Sequence, residues 1–85
     1  MAKHEKTLTA VLSGRQDQNV RFADLCGLLL ALGFDERTKG SHHIFTRDGV
    51  EEIVNLQPLP GGKAKPYQVK QARGIITKYG LGLDP

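Results

Sequence analysis

The chain has 85 residues, of which 39% are hydrophobic and 25% charged, with a formal net charge of +3 and a single cysteine. That length holds one small domain and leaves no room for a second or for a large buried cofactor. The composition is that of a globular chain rather than a disordered one, and Cys26, set in a leucine-rich run, reads as a small buried hydrophobe that excludes an intrachain disulfide and a cysteine zinc cage.

The first element is a short amphipathic helix: Lys3 to Ser13 bring Leu8, Val11 and Leu12 to helical spacing. Gly14 and the polar run from Arg15 to Asn19 end it. The basic start, Met1 to Lys6, is followed by no apolar stretch or small-residue cleavage site, so the expected location is the cytoplasm. A second helix follows from Phe22 to Leu32, with Phe22, Leu25, Leu28, Leu29 and Leu32 on one stripe and Gly33 at its end. Its nearly apolar stretch, Leu25 to Phe34, is about half of the ~20 residues that a membrane span needs, so it is a core helix. Gly27 costs this helix roughly 1 kcal/mol against Ala, which predicts a close approach by another element.

The middle of the chain reads as three strands, Phe34 to Thr38, Ser41 to Arg47 and Val50 to Gln57, with turns at Lys39-Gly40 and Asp48-Gly49. The Asp-Gly pair predicts a two-residue hairpin with positive φ at both central positions. Pro58, Pro60, Gly61 and Gly62 then forbid a regular element, and Pro66 opens a last helix. Pro66 to Tyr79 carry Val69, Ala72, Ile75, Ile76 and Tyr79 on one stripe and Lys70, Arg73 and Thr77 opposite, closed by Gly80. There are no internal repeats and no low-complexity tract. The order predicts an α+β domain in which a three-stranded antiparallel sheet has one face covered by helices and the other open.

Charge is unevenly divided. Residues 1–33 carry four Lys/Arg against three acids, residues 34–62 three against five, and residues 63–85 five against one. The basic excess therefore lies in Lys63, Lys65, Lys70, Arg73 and Lys78, a local patch of the kind that attracts phosphates. On charge alone, a solvated helix face is the commoner meaning of such a block.

Two adjacent histidines invite a metal, but neighbours on a strand point to opposite faces, and His4 lies in a distant segment read as mobile. No metal site is expected. His42 shares a face with Ile44 and Thr46, and His43 with Ser41 and Phe45; which face meets the helices is open at this stage. A histidine titrates at about pH 6.5 when unperturbed, so one beside a basic surface raises the question of RNA cleavage. A hydrogen-bonded strand histidine is the commoner role on these residues alone.

The run Gly40-Ser41-His42-His43-Ile44-Phe45-Thr46-Arg47-Asp48-Gly49 follows a leucine-rich helix ending Leu32-Gly33-Phe34. It precedes a proline-containing segment and a basic helix ending Lys78-Tyr79-Gly80-Leu81. Over about residues 22–82 this pattern resembles the HicA family of bacterial toxins. The resemblance implies a double-stranded-RNA-binding-domain-like fold over 22–82, with residues 1–21 an additional N-terminal helix and linker. It implies a cytoplasmic stress-response toxin that cleaves mRNA as an endoribonuclease and is neutralised by a HicB-type antitoxin.

The family's catalytic histidine is the one directly after the Gly-Ser pair, here His42, with His43 as the alternative. Gly40 maps to a tight turn and Ser41 to the RNA-contacting motif. Lys65, Lys70 and Arg73, followed by Lys63 and Lys39, are the candidate cations. No metal, cofactor or DNA partner is expected, because the ribose 2′-OH is an internal nucleophile that RNA alone carries, and no membrane partner, because no apolar stretch is long enough to span. Acids of the second hairpin, Asp48, Glu51 and Glu52, repel RNA if they share a face with His42. The competing readings are a non-catalytic RNA-binding module and a protein that only docks a partner through Phe45 and the basic helix.

Overall fold

The apolar stripes become helices gathered on one side of a sheet. The computed structural model describes residues 3–83. Its elements are α1 (Lys3–Ser13), α2 (Phe22–Ala31), β1 (Asp35–Lys39), β2 (His42–Arg47), β3 (Val50–Leu56) and α3 (Pro66–Tyr79). The strands form one antiparallel sheet in the order β1-β2-β3. The α+β architecture expected from the sequence is the one found, and the differences lie at element ends. α2 stops before Leu32, β1 runs from Asp35 to Lys39 instead of Phe34 to Thr38, and Ser41 and Gln57 fall just outside their strands. No helix among the described residues is long and apolar enough to cross a membrane.

The β2–β3 hairpin departs from expectation in its turn. Only Gly49 takes a positive φ, 85°, whereas Asp48 does not. A register shift between Phe45 and Arg47 accompanies this turn, and such irregularities add the local twist that a turn with two positive φ values otherwise supplies.

Phe45, Val54 and Leu56 from the sheet join Leu25, Leu28 and Leu29 from α2 in one buried cluster, which Val69, Ala72 and Ile76 of α3 complete. Cys26 is buried within it, as its leucine-rich setting suggested. Glycine at position 27 is explained by α1: a Cβ there would stand 3.2 Å from His4 Cε1. His4 is therefore docked against α2, which corrects the reading of its segment as mobile. Val11 of α1 is fully buried. From α3, Arg73 donates to both carboxylate oxygens of Asp17 at 2.8 and 3.1 Å and to the Val11 carbonyl at 3.0 Å. This bidentate fork fixes the α1–α2 connection to the last helix.

The far end of α3 is tied to β3 by Glu52. Tyr79 donates its hydroxyl to Oε1 at 2.6 Å, and Lys78 Nζ donates to Oε2 at 2.9 Å. The Tyr79 hydrogen bond and then the Lys78 ammonium hold the carboxyl down to about 2, against an ordinary value of 4.5.

Two outcomes test this packing. Val11→Ala lowers unfolding stability by roughly 1.5–3 kcal/mol, whereas Leu12→Ala on the exposed side of α1 changes it by less than roughly 0.5 kcal/mol, measured by urea titration. Equal, negligible effects would mean that α1 is not part of the core. The lowered Glu52 value means that its contribution is complete above about pH 4.5 and is lost as pH falls through about 2. Wild type is therefore more stable than Glu52→Gln at neutral pH, and the gap closes across that window.

Candidate functional site

Strand alternation on β2 decides where each histidine lies. Phe45 is 0% exposed and packs beneath the helices, so His43, two residues earlier, shares that side. Its ring meets Phe22 edge-on with centroids 4.9 Å apart, and its Nδ1 lies 2.6 Å from Glu36 Oε2. His42 points to the open face and is exposed.

Around His42 the chain assembles a polar network. Nδ1 of His42 is 3.0 Å from Asn55 Oδ1 on β3. An amide oxygen only accepts, so Nδ1 carries the hydrogen, and Nε2 is the nitrogen left to take or give a proton. Beside this pair, Gln57 Nε2 donates to Ser41 Oγ at 2.9 Å, and Lys65 Nζ donates to Gln57 Oε1 at 3.3 Å. Lys39 stands directly opposite His42 across the β1–β2 ladder. Gly40 holds φ at 60°, where its lack of a side chain lets the chain turn from Lys39 into the histidine strand.

Beneath the network sits Gln68, only 4% exposed although polar. Its Oε1 accepts from the Gln57 backbone N–H at 3.2 Å, and its Nε2 donates to the Asn55 carbonyl at 3.4 Å. One buried side chain of α3 thus closes the frayed end of β3 and fixes the backbone that carries both Asn55 and Gln57. Tyr67, 65% exposed at the start of α3, adjoins this group through its hydroxyl, which accepts from Gln68 Nε2 at 3.5 Å.

The residues expected at the site are sorted by the fold. His42, Ser41, Gly40, Lys39 and Lys65 gather at one end of the sheet. Lys63 is exposed in the adjoining loop, where its backbone pairs with Arg21. Lys70 is exposed but two residues beyond Gln68, roughly 200° around the helix from the side that meets β3. Arg73 is engaged with Asp17 and the Val11 carbonyl in the α1 contact, away from the group around His42. Of the hairpin acids, Glu52 is paired with Tyr79 and Lys78, while Glu51 shares the open face four residues from Asn55, about 13 Å along the strand.

Sequence reasoning missed Asn55, Gln57 and Gln68. Gln68 did leave a trace, a polar residue four positions before Ala72 on the apolar stripe of its helix. It also missed that Cys26, Glu36 and His43 bring one ligand-type atom each within 4.8 Å of one another. Burial, and secondarily the Glu36 charge, push the Cys26 thiol up to about 12, so at neutral pH it is a protonated neighbour of the Glu36–His43 pair and no nucleophile.

These features define a small α+β domain that presents one hydrogen-bonded histidine, flanked by amides and lysines, on an open sheet face. The family model described as the HicA toxin of bacterial toxin-antitoxin systems matches residues 22–80, and the chain belongs to that family. Comparison with curated proteins and with solved structures gives no match. Helix α1 and the connection after it lie outside the matched residues.

Replacing Gln68 with Leu leaves the Gln57 N–H and the Asn55 carbonyl without their partner, at a cost of roughly 1–3 kcal/mol. Amide exchange at Gln57 accelerates in that variant, as read by NMR. Unchanged exchange and stability would show that β3 is held at this end without the glutamine.

Proposed function

We propose that this HicA-family toxin is a metal-independent endoribonuclease that cleaves mRNA, with His42 exchanging the proton at the reacting ribose. The observation that carries the reading is the His42–Asn55 hydrogen bond on the exposed face, which leaves Nε2 free beside Lys39 and Lys65. In this scheme Nε2 takes the proton of a ribose 2′-OH as its oxygen attacks the adjacent phosphorus. The O2′–P bond forms, the P–O5′ bond breaks, and the departing 5′-oxygen takes a proton from water at this open site. The products are a 2′,3′-cyclic phosphate and a 5′-hydroxyl, and the proton on His42 returns to solvent.

Lys65 and Lys39, with Lys63 nearby, supply positive charge toward the phosphate, which gathers negative charge as the bond forms. In this reading His43, which lies on the other side of β2 against Glu36 and Phe22, takes no part in the proton exchange. Family membership supports a HicB-type antitoxin as the natural inhibitor, and covering the His42 face is the simplest means of inhibition.

The test compares wild type, His42→Ala and His43→Ala on mixed single-stranded RNA, with and without EDTA, mapping the new ends. His42→Ala is expected to lose about 10²–10⁴-fold of the cleavage rate, the range for general acid–base catalysis. His43→Ala lowers the melting temperature but cleaves where it is folded, and EDTA changes nothing. Cleavage that survives His42→Ala, or that EDTA abolishes, would overturn the mechanism. A folded wild type that binds RNA without cutting it would make the protein a binding module.

A further inference from the structure

Residues 3–21 fold into more than a brace for the core. Between α1 and the start of α2 lies a cleft of about 690 Å³, within the size range of sites that hold small ligands. Its floor includes the buried Thr7 and Val20. Lys3, Lys6, Arg15 and Arg21 line it against one acid, Asp24, and that acid is already paired with Lys3 at 3.0 Å. Lys6, Arg15 and Arg21 are exposed, and none of them makes an ion pair among the described residues.

The fold also sets two like charges against each other here. Arg21 and Lys63 are directly opposed in an antiparallel bridge, flanked by the Ala64 N–H to Val20 carbonyl and Phe22 N–H to Gly62 carbonyl hydrogen bonds. Like charges directly opposite across strands are unfavourable by themselves. An anion between them removes the penalty. Arg21 is moreover the N-cap residue of α2, so its side chain sits at the positive end of this ten-residue helix, whose first N–H is held by the Gly62 carbonyl.

This cluster continues into the site around His42. Lys63 is followed by Ala64 and Lys65, and Lys65 reaches Gln57, which holds Ser41 next to His42. Cations thus run from Lys39 and Lys65 through Lys63 and Arg21 to Lys6 and Arg15. We propose that the α1–α2 cleft binds the phosphate backbone of single-stranded RNA as it extends away from the linkage cut at His42. The proposal rests on the ribonuclease reading above and adds a second, remote binding segment to it. The N-terminal helix then lengthens the RNA footprint, and discrimination between short and long RNA resides in residues outside the family match.

The experiment uses the full chain carrying His42→Ala, so that RNA is bound without being cut, with and without Lys6→Gln, Arg15→Gln and Arg21→Gln. Affinity for mixed-sequence single-stranded RNAs of about 4 and about 16 nucleotides is measured over a salt series. The parent is expected to bind the longer RNA more tightly. The triple substitution lowers the salt slope for the longer RNA by roughly 2 and its affinity by about tenfold at low salt, and leaves the shorter one unchanged. In the otherwise wild-type chain it leaves cleavage of the short RNA unchanged. Circular-dichroism melts and the three single substitutions, each expected to give a part of the effect, separate lost contacts from lost fold. Length-dependent binding that is indifferent to the triple substitution would overturn the proposal while leaving the ribonuclease reading intact. Failure of the parent to bind either RNA, together with no cleavage by the wild type, would overturn both.

Discussion

Burial of Phe45 is the constraint on which the rest of the molecule depends. The ring is fully enclosed between sheet and helices, and with side chains alternating along β2, its burial commits His43 to the helix side and His42 to solvent. A slip of one residue would exchange the two, placing a phenylalanine in water and His42 against Phe22 and Glu36. Arg47 secures the far end of the same strand from the helix side: its Nε donates to the Leu32 carbonyl at 2.9 Å, satisfying an acceptor at the end of α2. A Cβ on Gly33 would stand 3.0 Å from that Nε, so the glycine that ends the helix also makes room for the arginine. Register, helix end and histidine orientation are thus one problem with one solution.

The second dependence is the way polar groups hold α3. At its start, Gln68 bonds the backbone at both Asn55 and Gln57; midway, Arg73 grips Asp17; at its end, Tyr79 and Lys78 grip Glu52. Apolar burial is non-directional and would tolerate some sliding of the helix over the sheet. The three polar attachments have fixed geometry and remove that freedom. They also fix the positions of Asn55, which meets Nδ1 of His42, and of Gln57, which meets Ser41 and Lys65.

Much of this was legible in the sequence. The stripes of α2 and α3, the prolines and glycines between β3 and α3, and the alternation of β2 fix the order of elements and the opposition of the two histidines, because all are local periodicities. The Gly-Ser-His run carried the family. What local pattern does not hold is which side of the sheet is covered and which side chains meet across it. Arg73 and Asp17 are 56 residues apart, and Arg73 sits on the polar side of its helix beside Lys70, so composition groups the two as one basic face. The fold separates them, because α1 covers Arg73 and leaves Lys70 in water. In the same way Asn55 and Gln57 read as ordinary polar positions of a strand end, and only the β2–β3 register brings them to His42 and Ser41.

The open face that results is electrically graded. Asp48 and Glu51 lie at the hairpin end of β2 and β3, while Lys39, Lys65 and Lys63 lie at the other end, where His42 is. Glu52, which would deepen the negative end, is turned under the sheet and neutralised by Lys78. A polyanion approaching this face is repelled at the hairpin and drawn to the histidine end, so one direction along the strands is closed to it. Cationic side chains continue from His42 along β1 at the exposed Arg37, and off the sheet over the loop that pairs Lys63 with Arg21, toward α1. The acidic hairpin and the cations at the histidine end thus give the face a direction, and the Lys63–Arg21 pairing joins its positive end to the start of α2.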